Sequence, residues 1–235
     1  CPSKTAVSNL QKEGFTSIIN HGELLCMETV PDRLTSFQVV NVGDVMVDAL
    51  YYYLKEGVCV SQAGEKNICN PGEYLLATVH RAENTDNKER LAVILESLVT
   101  AGENVIFPVH PRTAQRILEF GLQAYLRHPN IDAVEPAGYL EMLWLIKNAR
   151  KVITDSGGVQ KEAFILKVPC VTLREETEWV ETVERGCNRL VGCDRRLIIE
   201  AVEETFNGDW SGCPYGRGDA SGLISRLLEG FNCSG

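Results

Sequence analysis

The chain has 235 residues, 44% of them hydrophobic and 23% charged, with a formal net charge of −9. That length suits one large α/β domain, or one domain with a piece of another, and the composition is globular, not disordered. No apolar run reaches the roughly 18 residues that span a bilayer, the opening CPSKTAVSN does not read as a secretion signal, and the acidic balance argues against a nucleic-acid surface. A soluble cytoplasmic protein, with no membrane or nucleic-acid partner, is expected.

Residues 3–13 predict a short amphipathic helix with Ser3 as its N-cap. Nothing legible precedes it, as though the chain opens partway through a domain. Phe15 to Phe37 has no clear period. Gln38–Val42 reads as a strand, and Asp44 begins a helix running through Tyr53 toward Glu56. The polar, turn-rich residues 61–72 (SQAGEKNICNPG) predict a linker. A regular alternation follows. Glu73–His80 predicts a buried strand, and 86–101 a helix with Leu91, Ile94, Leu95 and Leu98 on one face. Strands are then expected at Asn104–His110, Ile131–Glu135, Lys151–Asp155, Pro169–Leu173 and Arg189–Val191. Helices are expected at 113–126, 139–149, 158–167, 178–185, 195–206 and 219–230. Short apolar strands alternating with amphipathic helices imply a Rossmann-like parallel sheet covered by helices on both faces.

The nine cysteines are odd in number and include no Cys-x-x-Cys, so reduced thiols are expected rather than a disulfide framework. The four histidines make no metal-ligand spacing with them. Neither a metal nor a cofactor is expected.

Ligands of such sheets sit beyond the carboxyl ends of the strands, where this sequence is most polar. ITDSGGVQKEA (Ile153–Ala163) runs from a strand into a helix whose Val159, Ala163 and Leu166 share one apolar face. Ser156 is a good N-cap. Gly157 and Gly158 would let an anion approach the unpaired N–H groups and positive dipole end of the first turn. The same residues also make an ordinary strand-to-helix turn, so the motif alone leaves both readings open. Other strands end in His80-Arg81-Ala82-Glu83-Asn84 and in His110-Pro111-Arg112, and Arg174-Glu175-Glu176-Thr177-Glu178 follows the fifth. His80 suits proton transfer or a capped structural role. Arg81 suits a fork on phosphate oxygens or a pairing with Glu83 or a neighbouring carboxylate. Glu162 suits an acceptor of sugar hydroxyls or a surface acid near the helix start.

HRAEN, PVHPRT, EPAGYLEMLWLIKNA and ITDSGGVQKEA, followed by KVPCVTLREETEWVE, closely resemble the non-hydrolysing UDP-N-acetylglucosamine 2-epimerases from about Gly43 to the PYGRGDAS turn. The resemblance implies one half of a two-domain glycosyltransferase-B arrangement. Residues 43–235 would form the C-terminal nucleotide-sugar domain, and residues 1–42 a remnant of the N-terminal domain with its connecting segment. It also implies an isomerase that converts UDP-GlcNAc to UDP-ManNAc by eliminating UDP to a 2-acetamidoglucal and adding it back. Such enzymes serve polysaccharide biosynthesis.

By the same resemblance His80 is the active-site histidine near the diphosphate and the scissile C1–O bond. Arg81 and His110 would contact nucleotide sugar, including a second, activating molecule in some bacterial members. Ser156, Gly157 and Gly158 would seat the diphosphate, Glu162 would hold the uridine ribose, and the segment from Tyr139 to Met142 would face the uracil. The family's proton-abstracting carboxylates lie in the N-terminal domain, which is almost wholly missing here. The chain is therefore expected to bind UDP, to be inactive alone, and to need that domain, with a homodimer also open. Trp179 stands where many members have arginine, and Ala137 and Met142 replace a glutamine and a phenylalanine. GDVMVDA and TEWVE are similar to the branch acting on UDP-2,3-diacetamido-2,3-dideoxy-glucuronate. That activity, and a non-catalytic UDP-binding module, remain alternatives.

Overall fold

A computed structural model describes residues 1–31, 37–55 and 70–230. The chain divides into two compact units, Cys1–Gly57 with Ser211–Gly235, and Val58–Trp210. Residues 43–57 and 211–230 thus group with the start of the chain. The predicted linker, apart from residues 70–72, lies outside the described residues.

The first unit opens with α1 (Lys4–Lys12), capped as expected by Ser3, whose hydroxyl accepts from Ala6 N–H at 3.3 Å. The strand expected at Gln38–Val42 does not form; Val39 makes a single parallel bridge with Ile18. A ladder cannot extend from it because the partner segment turns at Ile19–Gly22, where Asn20 and His21 both take φ +52°. The helix expected from Asp44 is α2 (Val45–Lys55). Its Asp48 carboxylate accepts from the N–H groups of Ala220 and Ser221 at 3.1 and 2.7 Å, so one helix satisfies the open start of the C-terminal helix Ala220–Glu229. Leu25, Val30, Val42, Leu223 and Leu227 form this unit's core. Two glycines permit its tightest contact. A Cβ on Gly43 (φ +81°) would stand 2.7 Å from the Cα of Gly216 (φ +102°).

In the second unit every strand from the sequence reading is present, the first five trimmed by one to four residues and the last shifted by one: β1 (Leu75–Thr78), β2 (Val105–Pro108), β3 (Ile131–Val134), β4 (Lys151–Thr154), β5 (Cys170–Thr172) and β6 (Asn188–Leu190). They make one parallel sheet in the order β3-β2-β1-β4-β5-β6. Leu75↔Lys151 through Thr78↔Thr154 sets the central register. The helix expected at 86–101 is α4 (Lys88–Thr100), which starts where Asn87 caps it by accepting from Arg90 N–H at 2.9 Å; a short helix not expected from the sequence, α3 (Ala82–Thr85), precedes it. The helix expected at 113–126 begins earlier, with Pro111 pre-set for a first turn, and breaks at Gly121 (φ +72°) into α5 (Pro111–Glu119) and α6 (Gln123–Leu126). The remaining helices are α7 (Tyr139–Asn148), α8 (Gly157–Ile165), α9 (Val180–Glu184) and α10 (Arg195–Glu203).

Strand side chains alternate between faces, and both faces here are apolar. Leu75, Ala77, Phe107, Ile153 and Val171 meet α4 and α10 on one side. Leu76, Ile106, Val152 and Cys170 meet Leu145 and Ile146 of α7 and Val159 and Ala163 of α8 on the other. Each such fully buried aliphatic side chain contributes about 1.5–3 kcal/mol. No helix among the described residues is long and apolar enough to cross a membrane.

One charge is spent inside this frame. Lys151 is 2% exposed, and its ammonium donates to the carbonyls of Ala201, Val202 and Glu204 at 2.6, 2.8 and 2.7 Å, satisfying the negative end of α10. Lys151→Met should lower stability by about 1–3 kcal/mol by stranding those carbonyls. Urea unfolding checks it, and an unchanged midpoint would mean water replaces the ammonium freely.

Candidate functional site

The strand order places a topological switch point between β1 and β4, whose following segments leave toward opposite faces. The carboxyl ends of these two strands carry His80-Arg81 and Asp155-Ser156-Gly157-Gly158. A crevice at such a point is the usual ligand position of an open parallel sheet.

Asp155 binds the two strand ends together. It is fully buried, and its carboxylate accepts from His80 N–H (3.1 Å to each oxygen), Arg81 N–H (3.0 Å) and the Asn84 side-chain amide (3.1 Å). Asn84, also fully buried, donates in addition to Leu173 O at 3.0 Å and so reaches the end of β5. A buried carboxylate needs such donors to offset its lost hydration. His80 Nδ1 lies 3.6 Å from Asp155 Oδ1. Burial is the largest influence on His80 and lowers its pKa; Asp155 opposes this, while His110 and Arg81 push the same way as burial. A neutral imidazole near pH 7 results. The rings of His80 and His110 stand 5.6 Å apart, so two strand-end histidines meet. His110 also caps α5, with Nδ1 accepting from Arg112 N–H at 3.2 Å.

Ser156 caps α8 as expected, accepting from Val159 N–H at 3.5 Å, and Gly157 and Gly158 are the first two helical residues. They differ in surroundings. A Cβ on Gly158 would meet only Ser156 Oγ, at 3.9 Å. A Cβ on Gly157 would stand 3.2 Å from Glu178 Oε2, 3.4 Å from Trp179 Nε1 and 3.7 Å from Arg81 Nη2. Arg81 pairs with Glu178 at 3.7 Å; Glu83, the partner considered from sequence, pairs instead with Arg90 at 3.3 Å. Glu178 is gripped by both guanidinium nitrogens of Arg174, at 2.8 and 2.9 Å, and these hydrogen bonds bring its pKa down to about 2.

Glu162, one turn farther along α8, is not a surface acid. It is 6% exposed, and among the described residues its carboxylate accepts no hydrogen bond. Burial pushes its pKa up to about 7, with Lys161 opposing. The folded value lies above the ordinary 4.5, so its cost to folding is absent well below that pH and grows as pH rises toward 7. Met142, in the first turn of α7, packs among the partly buried residues bordering Val159 and Ala163. Among the described residues no group of three or more His, Cys, Asp and Glu is placed to hold a metal ion.

Sequence reasoning left out the roles of Asp155, Asn84, Arg174 and Glu178. Asn84 and Glu178 stand inside quoted motifs, yet the partners Asp155 and Leu173 of Asn84, and Arg81 of Glu178, lie in distant segments.

With this geometry in place, the chain can be set beside known proteins. The family profile described as UDP-N-acetylglucosamine 2-epimerase matches residues 1–229. The chain belongs to the UDP-N-acetylglucosamine 2-epimerase family. It is 43% identical to a UDP-N-acetylglucosamine 2-epimerase homolog of Methanococcus maripaludis, over 97% of this chain and 59% of that protein. It is 39% identical to the UDP-2,3-diacetamido-2,3-dideoxy-D-glucuronate 2-epimerase of Pseudomonas aeruginosa, over 97% and 58%. The crystal structure of the Methanocaldococcus jannaschii UDP-GlcNAc 2-epimerase in complex with UDP-GlcNAc and UDP superposes with a TM-score of 0.81 at 40% identity, again over 97% of this chain and 59% of that one. The chain thus spans about three-fifths of these relatives' length.

Among epimerase relatives, the switch-point geometry yields its own test. Asp155→Asn puts an N–H₂ group against backbone donors and removes the charge from three hydrogen bonds, at a cost of about 1.5–3 kcal/mol. Amide hydrogen exchange at His80 and Arg81 should accelerate; unchanged protection would show that Asp155 does not hold this corner.

Proposed function

We propose that this chain supplies the UDP-binding part of a sugar-nucleotide 2-epimerase, with UDP-GlcNAc and UDP-ManNAc as the substrate pair. One observation carries the reading: a buried carboxylate that accepts no hydrogen bond among the described residues, Glu162, sits one turn behind a glycine-opened helix start at the switch point of a parallel sheet. A cis-diol is the ligand chemistry that satisfies such an acceptor, and a diphosphate is the chemistry that suits the N–H groups of Gly157 and Gly158. The two lie about one helical turn apart, near 5.4 Å, which suits a ribose joined to its own 5′-phosphate.

In this reading Ser156, Gly157 and Gly158 seat the diphosphate and Arg81 closes on its oxygens. Met142 and Tyr139 flank the base. His80, held by Asp155 beside His110, stands at the bond between C1 and the leaving phosphate. The neutral imidazole can donate a hydrogen bond to that oxygen as UDP leaves and returns. Carboxylates that move the C2 proton would come from the part of the family's length that this chain does not span. The M. jannaschii relative supports this choice of ligand, since its structure holds UDP-GlcNAc and UDP. A cytoplasmic location, where nucleotide sugars are made, goes with the reading, and so does a homodimer.

A second substrate, UDP-2,3-diacetamido-2,3-dideoxy-glucuronate, is favoured by Trp179 at the arginine position and by the 39% identity to the P. aeruginosa enzyme. An enzyme joining this chain to the remainder of the family's length decides between them. Turnover in heavy water should place deuterium at C2 of whichever UDP sugar is the substrate, and recovered sugar free of label would rule out epimerisation there.

Calorimetry tests the site in the chain as it is. UDP should bind, and Glu162→Ala should weaken it by about 1–3 kcal/mol. Gly158→Ala should weaken UDP several-fold while leaving uridine unaffected, and should hold stability or raise it by up to about 1 kcal/mol. Loss of stability without loss of binding would count against the seat.

Ionisation offers a further check. A diol donates to the charged form of Glu162, so binding must draw a proton off a carboxyl whose pKa is about 7. At pH 6 the wild type should therefore release more protons per UDP bound than Glu162→Gln, measured in buffers of different ionisation enthalpy. Equal release would remove Glu162 from the ribose.

A further inference from the structure

The place nearest Gly157 already holds an anion. Glu178 Oε2 lies 3.2 Å from where a Gly157 Cβ would be, and Oε1 lies 3.7 Å from Arg81 Nη2. Among the described residues, Glu178 is the only carboxylate paired with the Arg81 guanidinium. The loop beneath is tied down. Thr177 Oγ1 donates to the fully buried Gln160 at 2.6 Å and accepts from Trp179 N–H at 3.1 Å, so α8 itself holds this loop. The two arginines differ. Arg174 is 8% exposed at its side chain and bidentate to Glu178, whereas Arg81 is 41% exposed and meets the same carboxylate at one long distance. Arg174 is therefore the fixed anchor of Glu178, and Arg81 the exchangeable partner.

We infer that Glu178 is a placeholder for the diphosphate: its carboxylate parks Arg81 over the Gly157 turn and yields Arg81 to the incoming phosphate. This rests on the UDP reading above. No bond is made or broken; one ion pair is exchanged for another. The exposed, single-contact pair with Arg81 contributes little and is screened by salt, while a phosphate oxygen beside α8 gains the guanidinium and the helix N–H groups together. The device selects for phosphate charge. A ligand lacking phosphates leaves the Arg81–Glu178 pair intact.

The test is a double-mutant cycle by calorimetry on the 235-residue chain, with UDP and with uridine. Glu178→Gln should raise UDP affinity about twofold to fivefold and leave uridine affinity unchanged. In the Arg81→Gln background that gain should vanish, because the competitor acts through Arg81. A Glu178→Gln chain that binds UDP equally or more weakly, or whose gain survives in Arg81→Gln, overturns the placeholder and leaves the UDP reading standing. A wild-type chain that binds no UDP overturns both. Should Glu178→Gln unfold by leaving Arg174 unpaired, the joint Arg174→Met, Glu178→Met variant removes the competitor and the stranded charge together and is read the same way.

Discussion

A fully buried carboxylate at the end of a central strand would be costly to bury if nothing solvated it. Asp155 is solvated by the protein itself, through the N–H groups of His80 and Arg81 and the amide of Asn84. Those donors come from the segment leaving β1, and the acceptor from the segment leaving β4. Meeting the electrostatic demand of one side chain thus brings the two ends of the switch point together. Asn84 extends the tie to Leu173 at the end of β5. Everything polar at the mouth of the sheet is placed relative to this cluster.

The rest of the mouth is arranged around charges with unequal partners. Asp155 has donors enough. Glu178 shares two guanidiniums, one fixed and one loosely held. The Glu162 carboxylate accepts no hydrogen bond among the described residues, and burial pushes its pKa up to about 7. In a structure whose two sheet faces are filled by aliphatic packing, an acceptor left unsatisfied beside an opened helix start is the feature a ligand would complete.

Much of this was legible in the residues. Lys151-Val152-Ile153 running into Thr-Asp-Ser-Gly-Gly marks a buried strand, a cap and a helix start, all determined by neighbours within four positions. Breaks inside longer apolar patterns were harder to see. The short helix Ala82–Thr85 after β1 carries no period of its own, and Gly121 breaks the helix predicted at 113–126 by taking a left-handed backbone. The Gln38–Val42 segment has strand composition but no partner able to extend a ladder. A strand needs its neighbour, and periodicity is silent about neighbours. Arg174 and Glu178 stand four residues apart, but outside a helix that spacing does not by itself bring two side chains together.

From the order of its amino acids alone, the chain determined its parallel α/β class, the strands of its sheet, and the capped glycine turn, because each depends on local period, local hydrogen bonding and side-chain size. The tertiary structure decided which strands became neighbours and therefore which ends met. It put His80 beside His110, closed Asp155 over the backbone of His80 and Arg81, buried Glu162 instead of leaving it on the surface, and set Glu178 against Gly157. Burial and pairing between distant segments set charge states and partners, and those depend on where the chain returns in space, which no stretch of sequence carries by itself.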